Sequence, residues 1–296
     1  MKGKTVKGNW NLRTNKLTFP YVFLICIFFF LAGFFGSTLF SHSQDDGHSL
    51  RPRPRPRFLG STKKETEYNL LTAGVSGDDS ITSIPFQVLS WKPRALYFPN
   101  FATAEQCKGI VDVAKAGLKP STLALREGEN EENTKGIRTS SGVFVSASED
   151  KTGILDVIEE KIARATMIPR THGEAFNILR YEIGQRYNSH YDAFNPAEYG
   201  PQKSQRMASF LLYLSDVEEG GETMFPYENG SNMDGSYGFE ECIGLRVRPR
   251  QGDGLLFYSL FPNGTIDPTS LHGSCPVIKG EKWVATKWIR NEEQDD

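Results

Sequence analysis

This 296-residue chain carries almost no net charge, with 34 lysines and arginines against 36 acidic residues for a formal −2. Such a balance leaves no basic footprint for a nucleic-acid partner, and none is expected. Cysteine is scarce, four in all, and no Cys-x-x-Cys pair occurs. Zinc-ribbon and thioredoxin-type redox motifs are therefore absent. The chain also lacks a His-Glu-x-x-His pattern, so a zinc hydrolase of that kind has no positioned glutamate. No internal repeat points to a solenoid or propeller.

One long run without charge is present. Leu17 to Phe40 is 24 residues rich in Phe, Leu, Ile and Val, long enough to span a bilayer. Lys2, Lys4, Lys7, Arg13 and Lys16 precede it with no acidic residue among them. The expectation is a cytosolic tail over 1–16 and a retained signal anchor over 17–40, giving a single-pass type II protein. Residues 41–82 then form a stem containing Arg-Pro-Arg-Pro-Arg-Pro-Arg at 51–57, extended and solvated because proline removes donors and favours polyproline II. Sequons at Asn229 and Asn263 fit glycosylation of a lumenal C-terminal portion. Cys26 falls inside the apolar segment, leaving Cys107, Cys242 and Cys275 beyond it. Three thiols form at most one internal bridge.

The globular part starts near Ile84. Val88, Ser90, Pro93, Ala95 and Tyr97 suggest an early strand. Thr103 with Gln106 three residues on makes a capping box, and Ile110, Val111, Val113 and Ala114 give the helix it opens an apolar face. Lys115 to Lys135 is polar and broken by Gly and Pro, hence a loop, in which the Glu-rich stretch 126–136 could act as a lid. Gly142–Val145 reads as a short strand. Ile154, Leu155, Ile158 and Ile162 predict a second helix from about Glu149 to Met167, ended by Pro169. After it the pattern turns to short strands: Phe176–Leu179, Met207–Leu214, Leu245–Pro249, Leu255–Tyr258 and Trp283–Ile289. Helices followed by many strands predict an α+β fold, a double-stranded β-helix (jelly-roll) core buttressed by N-terminal helices.

Within the strand-rich part lie His190 and Asp192, then His272, then Lys282. Two imidazoles and a carboxylate suit Fe(II) and leave coordination positions open for a co-substrate and O2. Residues two apart on a strand share a face, so His190 and Asp192 can reach one ion while Tyr191 points away. Lys282 adds a fixed cation able to grip the far carboxylate of a dicarboxylic acid. The set points to a 2-oxoglutarate-dependent oxygenase.

The stretch Tyr181-Glu-Ile-Gly-Gln-Arg-Tyr-Asn-Ser-His-Tyr-Asp192, with Arg206-Met-Ala, Tyr213 to Thr223, Thr269-Ser-Leu-His-Gly-Ser-Cys-Pro276, Lys282-Trp and Lys287-Trp, closely resembles the catalytic domain of plant prolyl 4-hydroxylases. The resemblance covers residues 83–291, before an acidic tail at 292–296, and is to a membrane-anchored form without a C-terminal cysteine-rich module. It implies hydroxylation of peptidyl proline at C4, with Fe(II), 2-oxoglutarate, O2 and L-ascorbate. The substrates it implies are secreted proline-rich polypeptides of the extensin and arabinogalactan type, met in the endoplasmic reticulum or Golgi. His190, Asp192 and His272 take the metal-ligand positions, and Lys282, Tyr181 and Thr223 those around 2-oxoglutarate. Arg206, Tyr187, Trp288 and Arg138 are candidates for the peptide groove. Lysine at 282 favours the collagen- and cell-wall-type prolyl enzymes over lysyl hydroxylases and oxygen-sensing prolyl hydroxylases, which commonly carry arginine in that role. Cys242 and Cys275 flank the site strands and can bond in an oxidising lumen, whereas Cys107 reads as a buried free thiol. Pairing with itself or with paralogous hydroxylases is a further expectation. The competing class is a non-catalytic membrane scaffold or subunit that binds proline-rich chains or other hydroxylases.

Overall fold

The computed structural model describes residues 27–29 and 84–294. Residues 27–29 are helical and belong to one unit, Met1–Glu65; the folded remainder lies in a second, Thr66–Asp296. The cytosolic tail, the stem with its Arg-Pro repeat, Cys26, the rest of the 17–40 anchor and the last two residues of the acidic tail lie outside the described residues. Among those described, no helix is long and apolar enough to cross a membrane.

Fourteen strands follow, β1 (Gln87–Trp91), β2 (Arg94–Phe98), β3 (Lys119–Pro120), β4 (Ser141–Val145), β5 (Phe176–Tyr181), β6 (Tyr187–His190), β7 (Arg206–Tyr213), β8 (Glu219–Gly220), β9 (Thr223–Phe225), β10 (Leu245–Val247), β11 (Gly254–Tyr258), β12 (His272–Ser274), β13 (Val277–Lys279) and β14 (Lys282–Arg290). Helices α1 (Ala104–Lys115) and α2 (Ile154–Thr166) precede most of them, and a single-turn α3 (Pro196–Tyr199) follows β6. The major sheet runs β1-β2-β11-β7-β14-β5-β4-β3, a minor sheet β10-β9-β12-β6, and a ribbon pairs β13 with β8. The ladders within these sheets are antiparallel.

The major sheet is built on a strict alternation, since successive side chains leave opposite faces. Along β7, Ala208, Phe210 and Leu212 join a core with Ile110 and Ala114 of α1 and Leu155, Ile158 and Ile162 of α2. The intervening Leu211 and Tyr213 enter a second core toward the minor sheet, with Phe225 of β9 and Phe257 of β11. Likewise β14 gives Trp283, Ala285 and Ile289 to the helix side and Val284 to the other. The helices thus cover one face and the minor sheet the other, and the site develops on the second. Fully buried aromatics such as Phe101 and Phe210 each contribute about 1.5–3 kcal/mol by leaving water.

Three local expectations change. The early strand is a hairpin, because Lys92-Pro93 forms the turn between Trp91 and Arg94 and proline has no N–H for a ladder. The second helix starts at Ile154. The Asp150 carboxylate instead accepts from the Thr152 amide and hydroxyl and the Leu155 amide, holding the preceding residues in a turn. The polar 115–135 segment contains the two-residue β3 beside β4. The Thr103 capping box is formed, with the Thr103 hydroxyl accepting from the Gln106 amide and Gln106 accepting from the Thr103 amide. Replacing Thr103 with alanine should cost about 1 kcal/mol. Calorimetry should then show a melting point lower by about 3 °C with unchanged turnover.

Candidate active site

His190 ends β6 and His272 begins β12, and the two are direct antiparallel partners. Their rings lie 4.4 Å apart. Asp192 lies two residues past His190 but beyond the end of β6, in a bend, so the side chains converge without the shared strand that simple alternation implies. The Asp192 carboxylate oxygens stand 3.7 Å from His190 Nε2 and 3.5 Å from His272 Nε2. Gly273 is required between them: a Cβ there would lie 2.9 Å from the Tyr187 carbonyl oxygen.

Each histidine is held by its own backbone. His190 Nδ1 donates to the Asn188 carbonyl at 2.9 Å and His272 Nδ1 to the Ser270 carbonyl at 3.0 Å. A carbonyl only accepts, so Nδ1 carries a proton and the Nε2 edge of each ring faces Asp192. Burial, with His272 nearby, pushes His190 down to about 3, so it is neutral at physiological pH. For Asp192 burial acts upward, but His272, His190, Arg206 and the Ser209 hydroxyl outweigh it and bring the carboxyl down to about 2. Two imidazole nitrogens and one carboxylate, ligand atoms within 4.8 Å of each other, fit a divalent ion with open positions.

Ser209 was not legible as a site residue. It is fully buried on β7 and donates to Asp192 Oδ2 at 2.5 Å. The only signal was a single serine in the apolar run Met207–Leu214.

Lys282 opens β14 opposite Tyr181 of β5. It is 1% exposed, and its Nζ donates to Ser274 Oγ at 2.8 Å. Burial drives its ammonium down to about 7, against the upward pull of Glu222. Ser274 was also missed, although it follows His272 by two on the same strand. Tyr181 is buried beside Arg138 and Ser140, and burial raises its hydroxyl pKa. Thr223 accepts from the Tyr213 hydroxyl at 2.8 Å. These groups and the three metal-type ligands line one cavity of about 50 Å³. In the β8–β13 ribbon, Gly220 has φ +78° and a Cβ there would meet the Pro276 carbonyl oxygen at 2.3 Å.

A trough of about 870 Å³ shares Arg138, Tyr187, His190, Asp192 and Trp288 with that cavity. Tyr187 stacks on His190 at 3.6 Å, and the Arg138 guanidinium lies 4.8 Å from the Tyr187 ring centre. Arg206 lies 3.6 Å over Trp288, and the buried Trp288 indole Nε1 has no hydrogen-bond partner. At one end, Arg126 and Glu129 of the 126–136 loop line the trough, and Arg126 pairs with Glu198 of α3 at 2.7 Å. Cys242 and Cys275 form a disulfide. It ties β12 to the loop whose Phe239 carbonyl accepts from the Ser189 amide. Cys107 is a buried free thiol pushed up to about 12 by burial. Asn229 and Asn263 are exposed.

The 2OG-Fe(II) oxygenase superfamily matches residues 176–290, which contain all these strands from β5 onward. The chain is 67% identical over 96% of its length to probable prolyl 4-hydroxylase 9 of Arabidopsis thaliana, covering 97% of that protein. It is 56% identical to prolyl 4-hydroxylase 13 of the same plant, covering 96% of this chain and 98% of the relative. Among solved structures, a viral collagen prolyl hydroxylase from Paramecium Bursaria Chlorella virus-1 in complex with 2OG aligns at 25% identity. That alignment has a TM-score of 0.48 and covers 66% of this chain and 95% of the other.

Two outcomes follow from this geometry. Ser209→Ala should weaken iron binding about 10–100-fold, read by titrating the apoprotein with Fe(II) anaerobically. A dicarboxylate pairs with Lys282 only as ammonium, so above about pH 7 its binding must take up a proton. The KM for 2-oxoglutarate should therefore be flat below that point and climb, at most about tenfold per pH unit, above it. Lys282→Ala should raise the KM and abolish that slope in a pH series.

Proposed function

The chain belongs to the prolyl 4-hydroxylases of the 2OG-Fe(II) oxygenase superfamily, and from that premise we propose that it hydroxylates proline in secreted, proline-rich polypeptides of the extensin and arabinogalactan type. It is a 2-oxoglutarate-dependent prolyl hydroxylase, which sets aside the non-catalytic scaffold. The observation that carries the substrate reading is the aromatic trough that reaches His190 and Asp192. Polyproline II chains dock on aromatic surfaces and leave carbonyls free for arginine and indole donors. Trp288 and Tyr187 offer the surfaces, and Arg206, Arg138 and the unpartnered Trp288 indole offer the donors.

In this reading His190, Asp192 and His272 hold Fe(II). Lys282 takes the far carboxylate of 2-oxoglutarate, with Tyr181 and Thr223 as neighbouring hydroxyls. Bound iron and 2-oxoglutarate supply the activation of O2, with succinate and CO2 as co-products. The chain's own residues orient both substrates. Burial of Lys282, Tyr181 and Thr223 keeps water from the co-substrate end, where charge pairing is strengthened by the low local dielectric. L-Ascorbate serves to restore iron oxidised in uncoupled turnovers. The 126–136 loop is the segment that would close over bound peptide.

The placement we propose is a single-pass type II protein of the endoplasmic reticulum or Golgi membrane, with the catalytic domain lumenal and Asn229 and Asn263 glycosylated. Support comes from the charge-free Leu17–Phe40 run behind a basic N-terminus, the Cys242–Cys275 disulfide and the exposure of both sequons. Association with itself or with paralogous hydroxylases is part of the same proposal.

The deciding experiment incubates the full chain in detergent with Fe(II), 2-oxoglutarate, ascorbate and an extensin-like peptide, followed by mass spectrometry. One added oxygen per modified proline is expected, and none with His190→Ala. Succinate formation without oxygen on the peptide would keep the oxygenase and refute this substrate class.

A further inference from the structure

Glu174 lies before β5, outside every motif that identified the site, yet it organises one wall of the trough. Its Oε1 and Oε2 accept from Nε and Nη2 of Arg206, both at 2.7 Å. Oε1 also accepts from Arg290 Nε at 2.7 Å. Arg290 is itself braced, donating through Nη1 to the Ser204 carbonyl at 2.8 Å. The Glu174 amide donates to the Trp288 carbonyl at 2.9 Å, so backbone and side chain grip neighbouring parts of the same wall. The result is a fork-to-fork pair that fixes the guanidinium plane as well as its charge. That plane lies 3.6 Å over the Trp288 ring, with Phe194 5.0 Å away.

All three charged side chains are largely withdrawn from water, at 18% for Glu174, 15% for Arg206 and 16% for Arg290. An arrangement this buried is costly unless its geometry is satisfied. Burial pushes the Glu174 carboxyl upward, but the two arginines outweigh it and hold it ionised, below the usual range. With Nε–H and one Nη2–H committed to Glu174, the opposite edge of the Arg206 guanidinium, Nη1 and the second Nη2–H, is left for another acceptor.

We propose that Glu174 is a positioning residue for peptide binding: its two-point grip on Arg206, cross-braced by Arg290, lays the guanidinium flat on Trp288 and presents one remaining donor edge to the trough. The wall is then built before peptide arrives, so no side-chain ordering has to be supplied on binding. Glu174 makes no hydrogen bond or ion pair to the metal-type ligands or Lys282, and Arg206 acts on Asp192 only through space, so the main effect of Glu174 falls on the peptide. This rests on reading Arg206 and Trp288 as peptide contacts.

The test is kinetic, on the full chain in detergent with a synthetic poly(L-proline) peptide. Glu174→Gln keeps the shape but turns one acceptor into an N–H facing a guanidinium. The peptide KM should rise about tenfold with kcat within about twofold. The KM for 2-oxoglutarate and the peptide-free conversion of 2-oxoglutarate to succinate should stay at wild-type values. Arg206→Gln should raise the peptide KM as well, and Glu174→Gln added to it should change little more, since the two act as one unit. A normal peptide KM in Arg206→Gln would overturn the reading of the trough and the grip with it. A raised KM there but a normal one in Glu174→Gln would overturn the grip alone. A parallel loss of peptide-free turnover in Glu174→Gln would reduce Glu174 to a structural role. Should that variant not fold, Arg290→Gln removes only the brace; it should raise the peptide KM about threefold, and an unchanged KM would refute the proposal.

Discussion

The pairing of β6 with β12 is the constraint on which the site depends. It sets His190 directly across from His272, and the backbone carbonyls of Asn188 and Ser270 turn both rings so that their Nε2 atoms meet at Asp192. Register in an antiparallel pair is all-or-none: a slip of one residue would send a histidine to the opposite face. Glycine at 273 lets the strands come close enough. The disulfide at Cys275 pins the far end of the same strand. Each imidazole is oriented by main chain, and Tyr187 stacked on His190 and Phe257 beside His272 hold the rings in place.

Around that pair the major sheet divides labour by parity. On β14, Trp283, Ala285 and Ile289 pack against the helices, while Lys282, Thr286 and Trp288 line the cavity. On β7, Phe210 and Leu212 are core and Ser209 reaches Asp192. The helices supply apolar burial on one face, so the other can carry buried polar groups that would otherwise be destabilising. Lys287 follows the same logic: on the helix side of β14, it is buried but paired with Glu159 of α2.

Charge is graded along the site. The metal end carries Asp192, low because histidines, Arg206 and Ser209 surround it. The co-substrate end carries a lone buried ammonium, Lys282, waiting for a carboxylate. The peptide wall carries Arg206 already matched by Glu174, so its role is geometric as much as electrostatic. An unmatched cation suits a charged ligand, and a matched one suits a neutral polypeptide whose carbonyls need only a well-placed donor.

Much of this was legible from the chain. The Thr103–Gln106 box, the apolar spacing of α1 and the run Met207–Leu214 fixed elements because capping and periodicity are local properties. The order His190, Asp192, His272, Lys282 indicated oxygenase chemistry because metal and dicarboxylate recognition demand those residue types. Local rules failed where other contacts won: Asp150 delayed α2, Pro93 split the first strand, and Asp192 left the strand before turning back toward the two histidines. Ser209, Ser274 and Glu174 could not be singled out, since a serine in an apolar run or a glutamate before a strand is ordinary until its partner is known. Sequence by itself determined which chemical groups are present and the periodicity that buries one face of each strand. Only the tertiary structure decided which groups meet, because His190 and His272, or Glu174 and Arg206, are brought together by ladders between strands far apart in the chain.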